Sequence, residues 1–431
     1  MYGEENARFA KVIGVPAAVF SGASVALELP PNAVTKAGVE VGFMFAANLL
    51  SRIFTNLILI APDLSLGPNA WGLQRISDLV PVLAEISEGR VAWQTRDKPD
   101  IVVGVGAPPT IAGRFSTYFS FSGCDAAIEL ELPENVPGPI GALFAACYGT
   151  AQAFVYAAQM VGAKFQPMRP FRLSLLNYAE TGPAQRCPAQ LDLGRVHLVG
   201  VGAIGSAAVY SLCHFPSVEG DLSAIDNDCV DVTNLHRYVL MQKSDASAGR
   251  AKVEVATRAL GGQGITVRPY PMSFADFYNK HSDPIDLLLT PVDSEIGRRS
   301  LAAYLPRAIL NASTGHTKVT ISRHGFADGK ACLACLYPIP NNEMTTEKRL
   351  AIELGLSVEE VTAHLADNRP VQADLLDRVE AHRRLPVGHL TAWVGQQIQS
   401  LYQRAVCGEA AISTATGTVI SPLAFISAAA G

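Results

Sequence analysis

The chain has no long basic run. Its 34 Lys and Arg are outnumbered by 39 Asp and Glu, for a net charge of −5. Nucleic acid calls for a clustered positive face, so it is not expected as the main partner. Cysteine is sparse, eight in 431 residues, and scattered without the spacing of a disulfide framework. A signal peptide is also lacking. Reduced thiols in a cytoplasmic protein are therefore expected. There is no second Cys-x-x-Cys to accompany "CLAC", Cys332 and Cys335. Structural zinc takes four ligands, and His316 and His324 complete no recognised spacing, so zinc is not expected. Charge is absent from residues 137–163, "PGPIGALFAACYGTAQAFVYAAQMVGA". That length could cross a bilayer. Gln152, Gln159, the many small residues and the lack of basic flanks at its start favour a helix buried all round in an α/β core, with no membrane partner.

What is present begins with size. Of the 431 residues, 49% are hydrophobic, enough for two or three domains with full cores. At 195–212, "RVHLVGVGAIGSAAVYSL" sets an apolar run against Gly200, Gly202 and Gly205 and continues as a helix-like segment. Glycines in that place allow a tight turn and bring backbone N–H groups to phosphates at a helix N-terminus. "GDLSAIDND" at 220–228 adds a second strand ending in acid, Asp226 and Asp228. NAD, FAD and ATP are served equally by such a shape.

A long-period repeat frames this motif. "FMFAANLLSRIFTNLILIAPD" (43–63) and "GSAAVYSLCHFPSVEGDLSAIDND" (205–228) each read as helix, turn, strand, acid. "KPDIVVGVGAP" and "PIDLLLTPVD" each read as an acid followed by a buried strand, and "PGPIGALFAACYG" and "ISPLAFISAAAG" each as proline followed by a small apolar helix. The fold class expected is α/β: two Rossmann-like, doubly wound parallel-sheet units forming a pseudo-dimer. The first unit, 1–165, has no glycine turn, because "VGFMFAAN" stands where "VGVGAIG" would, and is read as degenerate. A Pro-rich linker is expected at 166–190 and the binding unit at 191–431. Within that unit 341–406 is read as a helical insertion, whose "TTEKRLAIELGLSVEEVTAHLA" has a capping start.

The residues after the acid strand select among nucleotides. "VTNLHRYVL" brings Asn234 and Arg237, and "GRAKVEVATRAL" brings Arg250 and Lys252 to a helix start. A triphosphate has more charge to neutralise than a pyridine dinucleotide. Asp293 follows the strand "IDLLLTPV", at the end where ligands of such sheets lie, and a carboxylate with phosphates is a usual way to hold Mg²⁺.

The ordered set "GVGAIG … DND … NLHR … GRAK … VDSEIGR" resembles the ThiF/MoeB family of adenylating enzymes, the superfamily of ubiquitin activators, over about 195–340. The resemblance implies that ATP and Mg²⁺ convert a C-terminal carboxylate to an acyl-adenylate. It assigns Asp226 and Asp228 to ribose and metal-side contacts, Asn234, Arg237 and Lys252 to the phosphates, and Asp293 to Mg²⁺. Tyr238 departs from the pattern, which often has Gln there. Arg8 is the candidate for the arginine that relatives bring from the partner half's N-terminal helix.

"Cys-x-Glu-Ala" settings near the last helix carry thioesters in relatives, and Cys407-Gly408-Glu409-Ala410 resembles one. The expected function is adenylation of a ubiquitin-like protein, thioester transfer to Cys407 or to the Cys332/Cys335 pair, and hand-over to a conjugating enzyme. Adenylation of a sulfur carrier or peptide without a thioester is the alternative. An NAD-dependent oxidoreductase would use the glycine turn and Asp226 but leave Asn234, Arg237, Lys252 and Asp293 idle.

Overall fold

Short β-branched and leucine runs, bounded by Pro, Gly and Asp, build two sheets. The computed structural model describes residues 18–87, 89–95, 98–315, 318–326, 328–337, 345–367, 369–383, 385, 387–402, 411–414, 417–420 and 424–431. The first sheet contains β1 (Ser24–Glu28), β2 (Asn56–Ile60), β3 (Arg90–Trp93), β4 (Ile101–Val105), β5 (Phe115–Ser122), β6 (Asp125–Ile128) and β7 (Phe171–Ser174), in the order β3-β2-β1-β4-β5-β6-β7. The second contains β8 (Gln190–Val199), β9 (Ser217–Ile225), β10 (Ile265–Tyr270), β11 (Leu287–Thr290), β12 (Ala308–Gly315) and β13 (Lys318–Gly325), in the order β10-β9-β8-β11-β12-β13. Apart from the extra edge strand β7, the two orders coincide position for position. The duplicated plan read from the sequence is therefore present. The sheets are not wholly parallel, however: β5-β6-β7 and β12-β13 pair antiparallel.

Helices α1 (Val39–Ser51), α2 (Leu79–Ile86), α3 (Pro139–Met160), α4 (Ala203–Leu212), α5 (Lys252–Leu260), α6 (Phe274–Lys280) and α7 (Glu295–Ala302) accompany the sheets. α3 is long and apolar enough to cross a membrane, yet 67% of its apolar window is buried inside the protein. It packs on α1, β5 and β6, as a core helix of an α/β layer does.

Three local expectations are corrected. "VGFMFAAN" is not the counterpart of the glycine turn; it lies inside α1, and residues 29–38 occupy the position after the first strand. Leu29, Pro30 and Pro31 follow the strand there, where Gly200, Val201 and Gly202 follow β8, and Glu28, which ends β1, is 3% exposed. Its carboxylate accepts hydrogen bonds from Thr110 N (2.8 Å), Ile111 N (3.1 Å) and the Thr110 hydroxyl, so an acid of the chain itself takes up amides at the strand end. Second, 166–190 is more than a linker. β7 extends the first sheet, and Arg172 pairs with Asp125, which is fully buried. Third, not all thiols are reduced. Cys124 and Cys187 form a disulfide with Cα atoms 5.4 Å apart, fastening the segment beyond β7 to the β5–β6 turn. Composition could not show this, because the two cysteines are 63 residues apart.

Residues 338–421 form a compact unit of their own. It holds α8 (Thr346–Leu354), α9 (Val358–Ala366), α10 (Ala373–Arg383) and a hairpin, β14 (Ala411–Thr414) with β15 (Gly417–Ile420). Its capping start is as expected, with Thr345 accepting from Lys348 N, and a second cap not foreseen, Ser357 accepting from Glu360 N, starts α9. The helical stretch divides at Gly355, whose φ of +66° ends α8 in the left-handed region. Leu350, Leu354, Val361, Leu376 and Val379 make the core of this unit. The chain then rejoins the larger unit, where α11 (Ala424–Ala430) packs on α3, with the Phe154 and Phe425 rings 6.2 Å apart.

Candidate nucleotide site

β8 ends at Val199 and the chain reverses into α4 through Gly200, Val201 and Gly202. The three motif glycines are glycine for different physical reasons. Gly200 has φ +99°, which side chains rarely adopt. A Cβ on Gly205 would stand 2.1 Å from Gly200 O, so only glycine lets the helix touch the strand end. A Cβ on Gly202 would meet nothing closer than the Tyr238 hydroxyl at 3.6 Å, an ordinary contact. Nothing in the fold demands glycine there. α4 has no side-chain N-cap, which leaves its first amides facing the same opening.

Asp226, just past β9, stitches the turn. One carboxylate oxygen accepts from Val201 N at 2.7 Å and the other from Asp228 N at 2.9 Å. Asp228 is exposed and accepts from Lys252 Nζ at 2.7 Å. Lys252 opens α5 and is 5% exposed. Burial works against its charge, but Tyr238, Asp226 and Asp228 together outweigh it and raise its pKa. Its ammonium lies 5.3 Å from the centre of the Tyr238 ring, and the Arg237 guanidinium lies 5.2 Å from the same ring. Asn234 closes a 3-10 turn whose cap is Asp231, and its carbonyl accepts from Arg237 N and Tyr238 N. Tyr238 is 7% exposed, and its hydroxyl has no hydrogen-bond partner among the described residues.

From the other side, the loop after β11 closes on the turn. Pro291 O and the Val292 side chain lie against Gly200, and exposed Asp293 follows, just before the Ser294 cap of α7. Arg298 is 6% exposed; it donates to Val292 O and lies 5.1 Å from the Tyr337 ring, bracing this loop. The structure thus brings together Gly200, Gly202, Gly205, Asp226, Asp228, Lys252 and Tyr238, with Asp293 beside them. Arg8 and Cys407 lie outside the described residues. Cys332 and Cys335 flank a short helical turn with sulfurs 3.5 Å apart, and no group of three or more His, Cys, Asp or Glu among the described residues is arranged to hold a metal.

The site also depends on residues not recognised from the sequence. Residues 235–241, which carry Arg237 and Tyr238, are held by Asn48 and Arg52 of α1 and its C-cap. One signal was present: Asn48 and Arg52 stand four apart at the end of an apolar run. A cavity of about 190 Å³, lined by Arg195, His197, Arg268, Tyr270, Phe277 and His281, lies against β8, β9 and β10. None of the turn glycines lines it, so it is not the nucleotide site.

A glycine turn running from a strand end into a helix without a side-chain cap, with Asp226 and Lys252 beside it, is the arrangement of a nucleotide-binding α/β protein. Sequence comparison names the group within that class. The ThiF family model matches residues 178–425, and the chain belongs to the ThiF family. It is 33% identical over 424 residues to y4jF of Sinorhizobium fredii, a protein described as uncharacterized, covering 94% of this chain and 79% of that one. It is 30% identical over 158 residues to the adenylyltransferase and sulfurtransferase UBA4 of Eremothecium gossypii, covering 35% of this chain and 34% of that one. The chain thus spans about a third of the length of its UBA4 relatives. Among solved structures, E. coli MccB with ATP is 18% identical with a TM-score of 0.30, covering 45% of this chain and 57% of that one.

Proposed function

We propose that this protein uses ATP to adenylate the C-terminal carboxylate of a protein or peptide. The observation that carries the reading is Gly202, a glycine the fold does not require, at the amide-lined mouth of α4. A carboxylate oxygen of the substrate attacks the α-phosphorus, the bond to pyrophosphate breaks, and acyl-adenylate and pyrophosphate result. The charge that grows on the leaving pyrophosphate is met by Lys252, Arg237 and Asn234, and by Arg8 if the N-terminal segment reaches the site. Asp226 and Asp228 serve the ribose side. Asp293 and the phosphates would hold Mg²⁺, which neutralises phosphate charge. An oxidoreductase leaves this cationic set without work.

The substrate we assign is the tail of a ubiquitin-like protein. Cys407 thiolate then attacks the acyl carbonyl, AMP leaves, and the thioester passes to a conjugating enzyme. The name of the UBA4 relatives, adenylyltransferase and sulfurtransferase, favours a second reading in which a sulfur-carrier protein is adenylated and no enzyme thioester forms.

ATP–pyrophosphate exchange with Mg²⁺ tests the central claim. Exchange dependent on the C-terminal residue of an added ubiquitin-like protein is expected. Asp293→Ala should lower exchange by about 100-fold or more while leaving circular dichroism unchanged, and full exchange by that variant removes its assigned role. Cys407→Ala should spare exchange and abolish any thiol-labile adduct. An adduct that persists moves the thioester to Cys332 or Cys335.

A further inference from the structure

The half without a glycine turn supplies the anchor for the other half's phosphate loop. Residues 235–241 form no helix or strand, and within them only Arg237 is not buried. Buried loop carbonyls need donors, and here the donors come from α1 and its C-cap. Asn48 Nδ2 donates to Val239 O at 2.9 Å. Arg52, 1% exposed, donates to Met241 O at 3.1 Å and to Leu235 O, and its Nε donates to Asn48 Oδ1 at 2.8 Å. Two neighbouring contacts add to the grip: Trp71 Nε1 to Leu240 O at 3.4 Å and Lys243 Nζ to Ser87 O at 2.7 Å.

We propose that Asn48 and Arg52 are positioning residues, through which α1 sets the shape of residues 235–241 and so the placement of Arg237 and Tyr238 at the nucleotide phosphates. This inference rests on the adenylating reading above. A planar guanidinium reaches the carbonyls of Leu235 and Met241 at once and fixes the distance between the two ends of the loop. Asn48 holds the middle and is itself oriented by Arg52. The loop then has one outlet, the Arg237 side chain, with the open Tyr238 hydroxyl beside it. A lysine at 52 keeps the charge but is a point donor and cannot span both carbonyls.

The test uses the full chain, wild type and Arg52→Lys, with Asn48→Ser as a milder variant should Arg52→Lys fail to fold. Hydrogen–deuterium exchange of residues 235–241 is measured without nucleotide, and ATP and AMP binding by calorimetry. Wild type should bind both. In Arg52→Lys, exchange in 235–241 should rise and ATP affinity fall, each by about tenfold, with AMP affinity held within about twofold. Asn48→Ser should show the same pattern at about threefold. A folded variant with wild-type loop exchange and an unchanged ratio of ATP to AMP affinity overturns the proposal. Equal loss of ATP and AMP affinity also overturns it, because that marks general loosening. A wild-type protein that binds neither nucleotide defeats the adenylating reading itself.

Discussion

Gly202 and Gly205 sit in one turn for unrelated reasons, and substitution separates them. Gly205→Ala puts a methyl 2.1 Å from Gly200 O and should destabilise the protein by about 2–3 kcal/mol in urea unfolding. Gly202→Ala meets only the Tyr238 hydroxyl and loses a modest N-cap preference, so the cost should stay at about 1 kcal/mol or less while ATP binding is lost. Equal effects of the two would mean that no ligand approaches Gly202. Tyr238→Phe keeps the ring that faces Lys252 and Arg237 and removes only the hydroxyl. ATP affinity should fall about tenfold and AMP affinity should not change, measured by calorimetry. At this scale the sequence singled out the glycine turn, Asp226, Asp228 and Lys252, but not that Asp226 would accept from Val201 N or that Lys252 would pair with Asp228. It was silent about Arg52, whose carbonyl partner Leu235 is 183 residues away.

Elements were legible in proportion to how well their pattern stands out. The run "LLLT" of β11 and the capped start of the helical stretch at residues 346–366 were readable. The short β1, "SVALE", was overlooked because Ser, Ala and Glu give it a weaker strand signal than the "LILI" and "IVVGV" runs, and that shifted the first unit's alignment into α1. β7 was hidden because an edge strand in a polar, Pro-rich stretch looks like a connection. Two histidines show what element packing does to titration. Burial pushes His214, at the end of α4, down to about 4 from an ordinary 6.5. Burial, with Arg237 adding to it, pushes His236 down to about 3. Each is neutral when folded and takes a proton more readily when unfolded. Their contribution is therefore complete above pH 6.5 and is lost as pH falls from there toward the folded values, at up to about 1.4 kcal/mol per pH unit each. Urea midpoints at pH 7.5, 6 and 5 should fall in that order, and His214→Phe should flatten the trend. A flat wild-type profile would contradict the burial of both rings.

Across the larger unit, the matching strand orders make the duplication visible, and the order of apolar runs had already suggested it. What repeats is the scaffold; the chemistry does not. In the first unit Glu28 accepts the amides of Thr110 and Ile111, beyond β4; in the second Asp226 accepts only Val201 N of the glycine turn, and the uncapped start of α4 follows it. The pairing of α3 with α11 carries a consequence for biosynthesis. On the ribosome, α3 is complete before the second sheet and the helical insertion are translated, and α11 emerges after both. Until then one side of a 22-residue apolar helix has no covering partner. That face is closed last, when Phe425 reaches Phe154, so the final seven-residue helix completes a surface laid down by the first unit.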